Sequence, residues 1–69
     1  MRMVSDYLPL LGEKKVEIEF SVLQAVGAPE KRVLWHGPAD KVPDGYRMRP
    51  AVLRYSHKYG CVIIDLGFL

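Results

Sequence analysis

Residues 15–23 alternate between apolar and polar side chains with a period of two, and this alternation constrains the fold more than any other feature. The apolar positions are Val16, Ile18, Phe20 and Val22. The positions between them are Glu17, Glu19 and Ser21. Side chains of a β-strand point in turn to opposite faces of a sheet. The segment is therefore predicted to be a strand with one face in the core and one acidic face.

A short helix is predicted before this strand, at residues 5–11. Ser5 suits the N-cap, Asp6 suits the first turn, and Gly12 suits the position just after the helix. The side chains expected to pack the helix on the sheet are Tyr7, Leu8, Leu10 and Leu11. A helix of at most two turns is marginal alone, so it depends on that packing.

Three further strands are predicted, at residues 31–36, 50–55 and 61–66. Gly37 and Pro38 are expected to end the first of these, in which Val33 and Trp35 share one face and Leu34 lies on the other. The connections are turns at residues 24–30 and 56–60, with one helical turn between the two hairpins. The core is predicted to contain Ile18, Phe20, Trp35, Val62 and Ile64, and Phe20→Ala is expected to cost about 3–5 kcal/mol.

The predicted fold class is α+β. A small antiparallel sheet of three to four strands carries one short N-terminal helix, and a helical turn joins the two hairpins. The 69 residues form a single domain over the range 1–69. Because so short a chain builds a small core without disulfides, the size favours a binding module over an enzyme with a cleft of its own.

Composition and cysteine content narrow the class of protein. Apolar residues make up 49% of the chain and charged residues 26%, which is typical of a globular domain. No apolar run approaches the roughly 20 residues that a membrane helix needs, and Asp6 and Pro9 interrupt any signal-peptide core. A single cysteine, Cys61, excludes an internal disulfide. A cytoplasmic location is therefore predicted.

Three residues are the main candidates for a catalytic or metal site. Cys61 and His57 could form a nucleophile and base, but the cysteine opens an apolar strand, where structural cysteines usually lie. His36, His57 and Cys61 lack the C-x-x-C or H-x-x-x-H spacing of a zinc site. The sequence therefore predicts no catalytic residues, no metal and no cofactor.

Basic and aromatic residues are interleaved in residues 45–64, which contain no acidic residue. The predicted partner-binding residues are Arg47, Arg49, Arg54, Tyr55, Lys58 and Tyr59. They suit a protein interface, where arginine and tyrosine are typical anchors, or phosphates and bases of a single-stranded nucleic acid. The alternative is a solvated hairpin in which Arg54 pairs with Glu17 or Glu19 across the sheet.

A second apolar surface is expected on the sheet face away from the helix. Its predicted members are Leu23, Leu34, Cys61 and Ile63. They would form an interface with another protein or with a second copy, giving a homodimer, and Phe68 near the C-terminus would add to it. The alternative is that residues 24–30 or 37–49 fold over this face.

Residues 37–43 read Gly-Pro-Ala-Asp-Lys-Val-Pro, which fits a G-x-A-x-x-[IVL]-P link between two hairpins. With the preceding helix, this pattern resembles small α+β proteins of phages and mobile elements. Because some phage proteins of this size are anti-CRISPR-like inhibitors, the resemblance implies an inhibitor or adaptor that blocks a host complex sterically. The leading prediction is a non-enzymatic protein-binding module whose partner is a protein or nucleoprotein complex. The alternative is a single-stranded nucleic-acid-binding protein that uses residues 46–59.

Overall fold

The computed structural model describes residues 2–56 and 60–68. Its elements in chain order are helix α1 (Val4–Leu11), strand β1 (Lys15–Val22), strand β2 (Glu30–Pro38), a 3₁₀ turn (Ala39–Lys41), helix α2 (Asp44–Arg47), strand β3 (Val52–Ser56) and strand β4 (Cys61–Phe68). This is a small α+β fold, so the predicted fold class is confirmed. None of the helices in the described ranges has the length and apolar character needed to cross a membrane.

The four strands form one sheet in the order β2-β1-β4-β3. Each predicted hairpin is antiparallel, β1 with β2 and β3 with β4. The two hairpins meet through a parallel pair, β1 with β4, in which Ile18 lies opposite Ile64. Parallel neighbours need a crossover connection. Here the chain from β2 to β3 makes that crossover, since it must pass from one edge of the sheet to the other.

Helix α1 begins two residues earlier than the capping signal predicts. Met3, not Ser5, is the N-cap, and the carboxylate of Asp6 accepts a hydrogen bond from the Met3 N–H at 2.7 Å. The Val4 N–H, one of the first four N–H groups that have no partner inside the helix, donates to the Arg49 carbonyl at 2.9 Å. The local contact from Asp6 and the tertiary contact of Val4 together fix the start of the helix at Met3, ahead of Ser5.

The core lies between the sheet and the helical segments. Ile18 and Ile64 are fully buried at its centre, and Trp35 and Val62 are partly buried against it, as predicted. Phe20 is different, because it is only half-buried and lies outside the core cluster. The helix reaches the sheet through Tyr7, Leu8 and Leu11. The prediction for Leu10 is wrong, because its side chain is exposed.

An irregularity in β2 changes which side chains share a face. The register between β1 and β2 shifts after Ile18, so Ile18 lies opposite Trp35 but Glu19 lies opposite Val33. The extra residue of this bulge is Leu34. Val33 and Trp35 therefore point to opposite faces, and the prediction that they share one is wrong. The strand also continues through Gly37 to Pro38, where the sequence predicts a break.

Gly37 lies beneath the indole ring of Trp35. A Cβ atom at this position would stand 2.9 Å from Cη2 of the ring, and the backbone φ of 153° is one that other residues rarely adopt. Replacing Gly37 with alanine is therefore expected to lower the free energy of unfolding by about 1–2 kcal/mol. Urea denaturation of the two proteins measures the difference. Gly45, whose Cβ would meet no neighbour, is the control, and an equal cost at both positions would contradict the prediction.

Candidate functional site

The sheet has one face that no helix covers within residues 2–56 and 60–68. The helical segments all contribute to the core cluster on the opposite face, through residues such as Leu8, Ala39 and Tyr46. Residues directly opposite each other on neighbouring strands share a face. By that register the uncovered side, here called the outer face, carries Glu17, Glu19, Ser21, Lys31, Val33, His36, Val52, Arg54, Ser56, Cys61, Ile63, Asp65 and Phe68.

An ion-pair network crosses the middle of the outer face. Arg54 of β3 donates from Nη2 to Glu19 Oε1 at 3.2 Å and from Nε to Asp65 Oδ2 at 3.2 Å. Lys31 of β2 reaches across β1, where its Nζ donates to Ser21 Oγ at 2.7 Å and to Asp65 Oδ2 at 3.0 Å. The Gly67 N–H donates to Asp65 Oδ1 at 2.8 Å. Every strand of the sheet therefore contributes a side chain to one network.

The pKa values of the two carboxyl groups in this network are shifted in opposite directions. Burial raises the pKa of Glu19, and the single nearby guanidinium of Arg54 only partly opposes it. Burial also acts to raise the pKa of Asp65. The hydrogen bonds from the Gly67 N–H and the Lys31 ammonium, with the charges of Lys31 and Arg54, outweigh it and hold that pKa below its usual range. Asp65 is therefore the better stabilised anion.

The ion-pair network of the outer face presents its cations to solvent more than its two acids. The side chains of Arg54 and Lys31 are 43% and 46% exposed, while those of Glu19 and Asp65 are only 10% and 12% exposed. Three apolar residues of the same face are largely exposed: Val33, Val52 and Phe68. Arginine and aromatic side chains are enriched at protein interfaces, and an exposed apolar patch is a mark of one.

A groove of about 350 Å³ adjoins the outer face where β3 begins. Its lining residues are Pro50, Ala51, Val52, Asp65, Leu66 and Gly67. Most of these side chains are apolar, and the Asp65 carboxylate is held by its own partners at one side. The groove therefore suits an apolar side chain from a bound molecule.

The residues predicted to form a basic binding hairpin are dispersed. Arg47 Nε is buried 3.1 Å from Asp44 Oδ1, in an ion pair rather than an aligned hydrogen bond, and its Nη2 donates to the Val42 carbonyl at 3.3 Å. Arg49 is exposed, and Arg54 belongs to the outer-face network. The alternative pairing of Arg54 with Glu19 is the one observed. Tyr55 is largely exposed on the opposite face of β3, and Lys58 and Tyr59 lie outside the described residues.

The residues predicted to form a second apolar face do not make one patch. Cys61 and Ile63 lie on the outer face of β4, but Ile63 is buried beside its neighbours and is not free to make a large contact. Leu34 is the bulge residue of the edge strand β2, and Leu23 is exposed in the loop after β1. The sequence missed Val33 and Val52, because the bulge and the register that set their faces are not local signals.

The chemistry around Cys61 does not favour a nucleophile. Cys61, Glu17 and His36 line a groove of about 260 Å³. Partial burial, with the nearby carboxylates of Glu17 and Glu19, raises the pKa of the Cys61 thiol, whereas a nucleophilic cysteine needs a lowered one. His57, the base weighed for this thiol, lies outside the described residues. In the ranges that the structure covers, no cluster of three or more histidine, cysteine or acidic residues is placed to hold a metal ion.

Comparison of the chain with protein-family models, with curated proteins and with solved structures gives no match. The kinship with phage and mobile-element proteins that residues 37–43 suggest therefore stays a prediction. The function has to follow from the chemistry of the surfaces described above.

Proposed function

We propose that this chain is a non-enzymatic protein-binding module that holds its partner on the outer face of the sheet. The observation that carries the proposal is a mixed surface of cations and exposed apolar groups on a sheet face that no helix of the described ranges covers. Phe68 and Val52, 59% and 64% exposed, supply apolar area near Asp65, since Val52 lies opposite Asp65 and Phe68 follows it on β4. Fully burying such side chains contributes about 1.5–3 kcal/mol each, enough to anchor a partner.

The exposed groups of the outer face define the partner's surface. Lys31 and Arg54 keep part of their N–H groups exposed beside apolar side chains, so a partner surface that offers apolar side chains and hydrogen-bond acceptors such as carboxylates fits best. The guanidinium of Arg54 is already oriented by Glu19 and Asp65, so little side-chain entropy is lost when a further carboxylate binds it. The groove beside Val52 accepts an apolar side chain of the same partner.

Binding of single-stranded nucleic acid through the whole basic hairpin has less support. Arg47 pairs with Asp44, and Arg54 pairs with two acids, so two of its three arginines are neutralised within the fold. Phosphate binding depends on cations that release counterions, and a cation already paired with a carboxylate contributes less to it.

The finer proposal is that binding blocks a site on a host complex. It rests on the resemblance of residues 37–43 to the link of phage proteins, and it includes a cytoplasmic location.

A second copy of this chain is the other candidate partner, which would give a homodimer. Facing copies would bring the exposed cations Lys31 and Arg54 together with those of the other copy, so a different protein is the favoured partner. Sedimentation at tens of micromolar tests this choice: a monomer is expected, and a dimer would contradict it.

Loss of the apolar groups of the outer face is expected to weaken partner binding. The test variant is Phe68→Ser with Val52→Ser, and affinity should fall about tenfold or more. The tagged protein is recovered from nuclease-treated lysate of the cells that produce it. Proteins that co-purify are identified, and the affinity of the purified partner is then measured by calorimetry.

The matched control changes two equally exposed apolar residues on the helical side, Leu10→Ser with Met48→Ser. This variant should keep full affinity. If both double variants bind equally well, the outer face is not the docking surface. If no protein co-purifies with the unaltered chain after nuclease treatment, the protein-binding proposal itself is wrong.

A further inference from the structure

The loop that joins β1 to β2 is uncharged and mostly apolar. Residues 23–29 read Leu-Gln-Ala-Val-Gly-Ala-Pro, and all seven are exposed. Leu23 and Val26 are 75% and 87% exposed. Single exposed apolar residues such as Leu10 and Met48 are ordinary on a protein surface, whereas a continuous run of them marks a contact surface. This loop, here called the hairpin tip, is therefore a candidate for contact with another molecule.

The backbone of the hairpin tip is open as well as its side chains. The β1–β2 ladder ends where Val22 lies opposite Glu30. Between these two residues, no N–H or C=O group of 23–29 forms a backbone hydrogen bond within the ranges 2–56 and 60–68. Exposed loop groups of this kind are bonded to water, and a bound protein can replace that water with its own donors and acceptors. The tip thus offers apolar side chains and hydrogen-bonding groups together.

The charged residues at the base of the hairpin tip are already paired. Arg32 donates to Glu30 Oε2 from Nε at 3.2 Å and from Nη2 at 3.0 Å. Lys31 is paired with Asp65 at 3.0 Å. Attraction to an anionic membrane depends on clustered lysine and arginine residues whose charge is not balanced by acids. The balanced charges here therefore favour an apolar pocket of a protein over a lipid surface.

The hairpin tip is continuous with the outer face through Phe68. Strands β1 and β4 run parallel and end at the same side of the sheet, where Phe68 lies opposite Ser21, two residues before Leu23. Phe68 is itself an exposed apolar residue of the outer face. A protein seated on Phe68 therefore lies beside the base of the tip, and one partner can cover both surfaces.

From these features we infer that the hairpin tip inserts into an apolar pocket of the protein that binds the outer face. The inference rests on the proposed function, because it concerns a second contact of the same partner. Val26, at the middle of the loop, enters the pocket, and Leu23 packs against the pocket's rim. Anchor residues of protein interfaces fill desolvated pockets in this way, ringed by contacts that exclude water. The projecting tip gives a small, flat sheet a contact that reaches into its partner.

Site-specific photocrosslinking tests whether the tip lies inside the partner. The full chain is produced in the cells that make it, with p-benzoylphenylalanine replacing Val26 in the tip, Phe68 on the outer face or Leu10 on helix α1, one position at a time. Irradiation should join positions 26 and 68 to the same protein, identified by mass spectrometry. Position 10, which is an equally exposed apolar site, should give no such adduct.

Each other result of the crosslinking contradicts the inference. An adduct at position 68 without one at position 26 would overturn it and leave the proposed function standing. No protein adduct at either position would overturn both. Different proteins at positions 26 and 68, or the same adduct from position 10, would show that the tip does not serve the outer-face partner specifically. An adduct with lipid alone at position 26 would assign the tip to a membrane instead.

Affinity for the purified partner, measured by calorimetry, gives the second test. Leu23→Ser with Val26→Ser should weaken binding about tenfold or more, as expected when an anchor leaves its pocket. The matched control is Ala25→Ser with Ala28→Ser, which alters the same loop but removes little apolar area and should keep full affinity. All four residues are exposed, so both variants should fold like the unaltered protein, which urea denaturation checks. Equal affinities of the two loop variants, with binding still weakened in Phe68→Ser with Val52→Ser, would overturn the inference and leave the outer-face proposal intact.

Discussion

Replacing Ile18 with alanine is expected to lower the free energy of unfolding by about 4 kcal/mol. The side chain is fully buried on the central strand β1, between Trp35 of β2 and Ile64 of β4. Removing three carbon atoms there loses burial and leaves a cavity that a sheet hydrogen-bonded on both sides cannot collapse. A domain of this size has a total stability of roughly 3–10 kcal/mol, so the variant should be partly or wholly unfolded.

Phe20→Ala is the internal comparison, because Phe20 lies two residues further along the same strand. It is only half-buried and outside the core cluster, so its loss should cost about 1–2 kcal/mol rather than the 3–5 kcal/mol expected from the sequence. Urea denaturation followed by tryptophan fluorescence of Trp35 gives both values. A larger loss at Phe20 than at Ile18 would show that the core is centred nearer the β1–β2 loop.

The helix and strands of this fold are predictable from the sequence because side-chain alternation and turn residues act within short segments of chain. The alternation in residues 15–23 sets the two faces of β1, and the turn signals separate the hairpins. The bulge at Leu34 and the parallel pairing of β1 with β4 depend on contacts between distant segments. No window of sequence contains them. One extra residue in β2 then moves Val33 to the outer face, which is why the predicted apolar face was only partly recovered.

The contacts of the candidate site likewise include some that the sequence predicts and some that depend on strand order. That Arg54 pairs across the sheet with Glu19 could be weighed from the sequence, because both lie on predicted strands with known faces. The bridge from Lys31 over β1 to Asp65 needs the strand order β2-β1-β4. Charge counting along residues 45–64 therefore overestimates the unpaired cations of the hairpin, because Arg47 and Arg54 are paired within the fold.

Replacing Asp65 with asparagine is expected to lower the free energy of unfolding by about 2 kcal/mol at pH 7. The carboxylate accepts from Lys31, Arg54 and the Gly67 N–H, and an amide would weaken the two charged contacts while keeping the third. Glu19→Gln is the control. Because burial raises the pKa of Glu19, its charged form is poorly stabilised in the fold, and its loss should cost about 0.5 kcal/mol or less.

The pH dependence of stability separates these two carboxylates by sign. The pKa of Asp65 is lower in the folded chain than its ordinary value of 3.8, so its contribution is present above that value and is lost as the pH falls through the folded pKa. The difference in free energy of unfolding between the unaltered protein and Asp65→Asn should therefore shrink towards zero in acid.

The pKa of Glu19 is raised above 4.5, so the unaltered protein should gain stability relative to Glu19→Gln as the pH falls through that raised pKa. Urea midpoints from pH 7 to about pH 2 measure both trends. A constant difference for Asp65→Asn over this range would mean that the carboxylate is not held as an anion by Lys31 and Arg54.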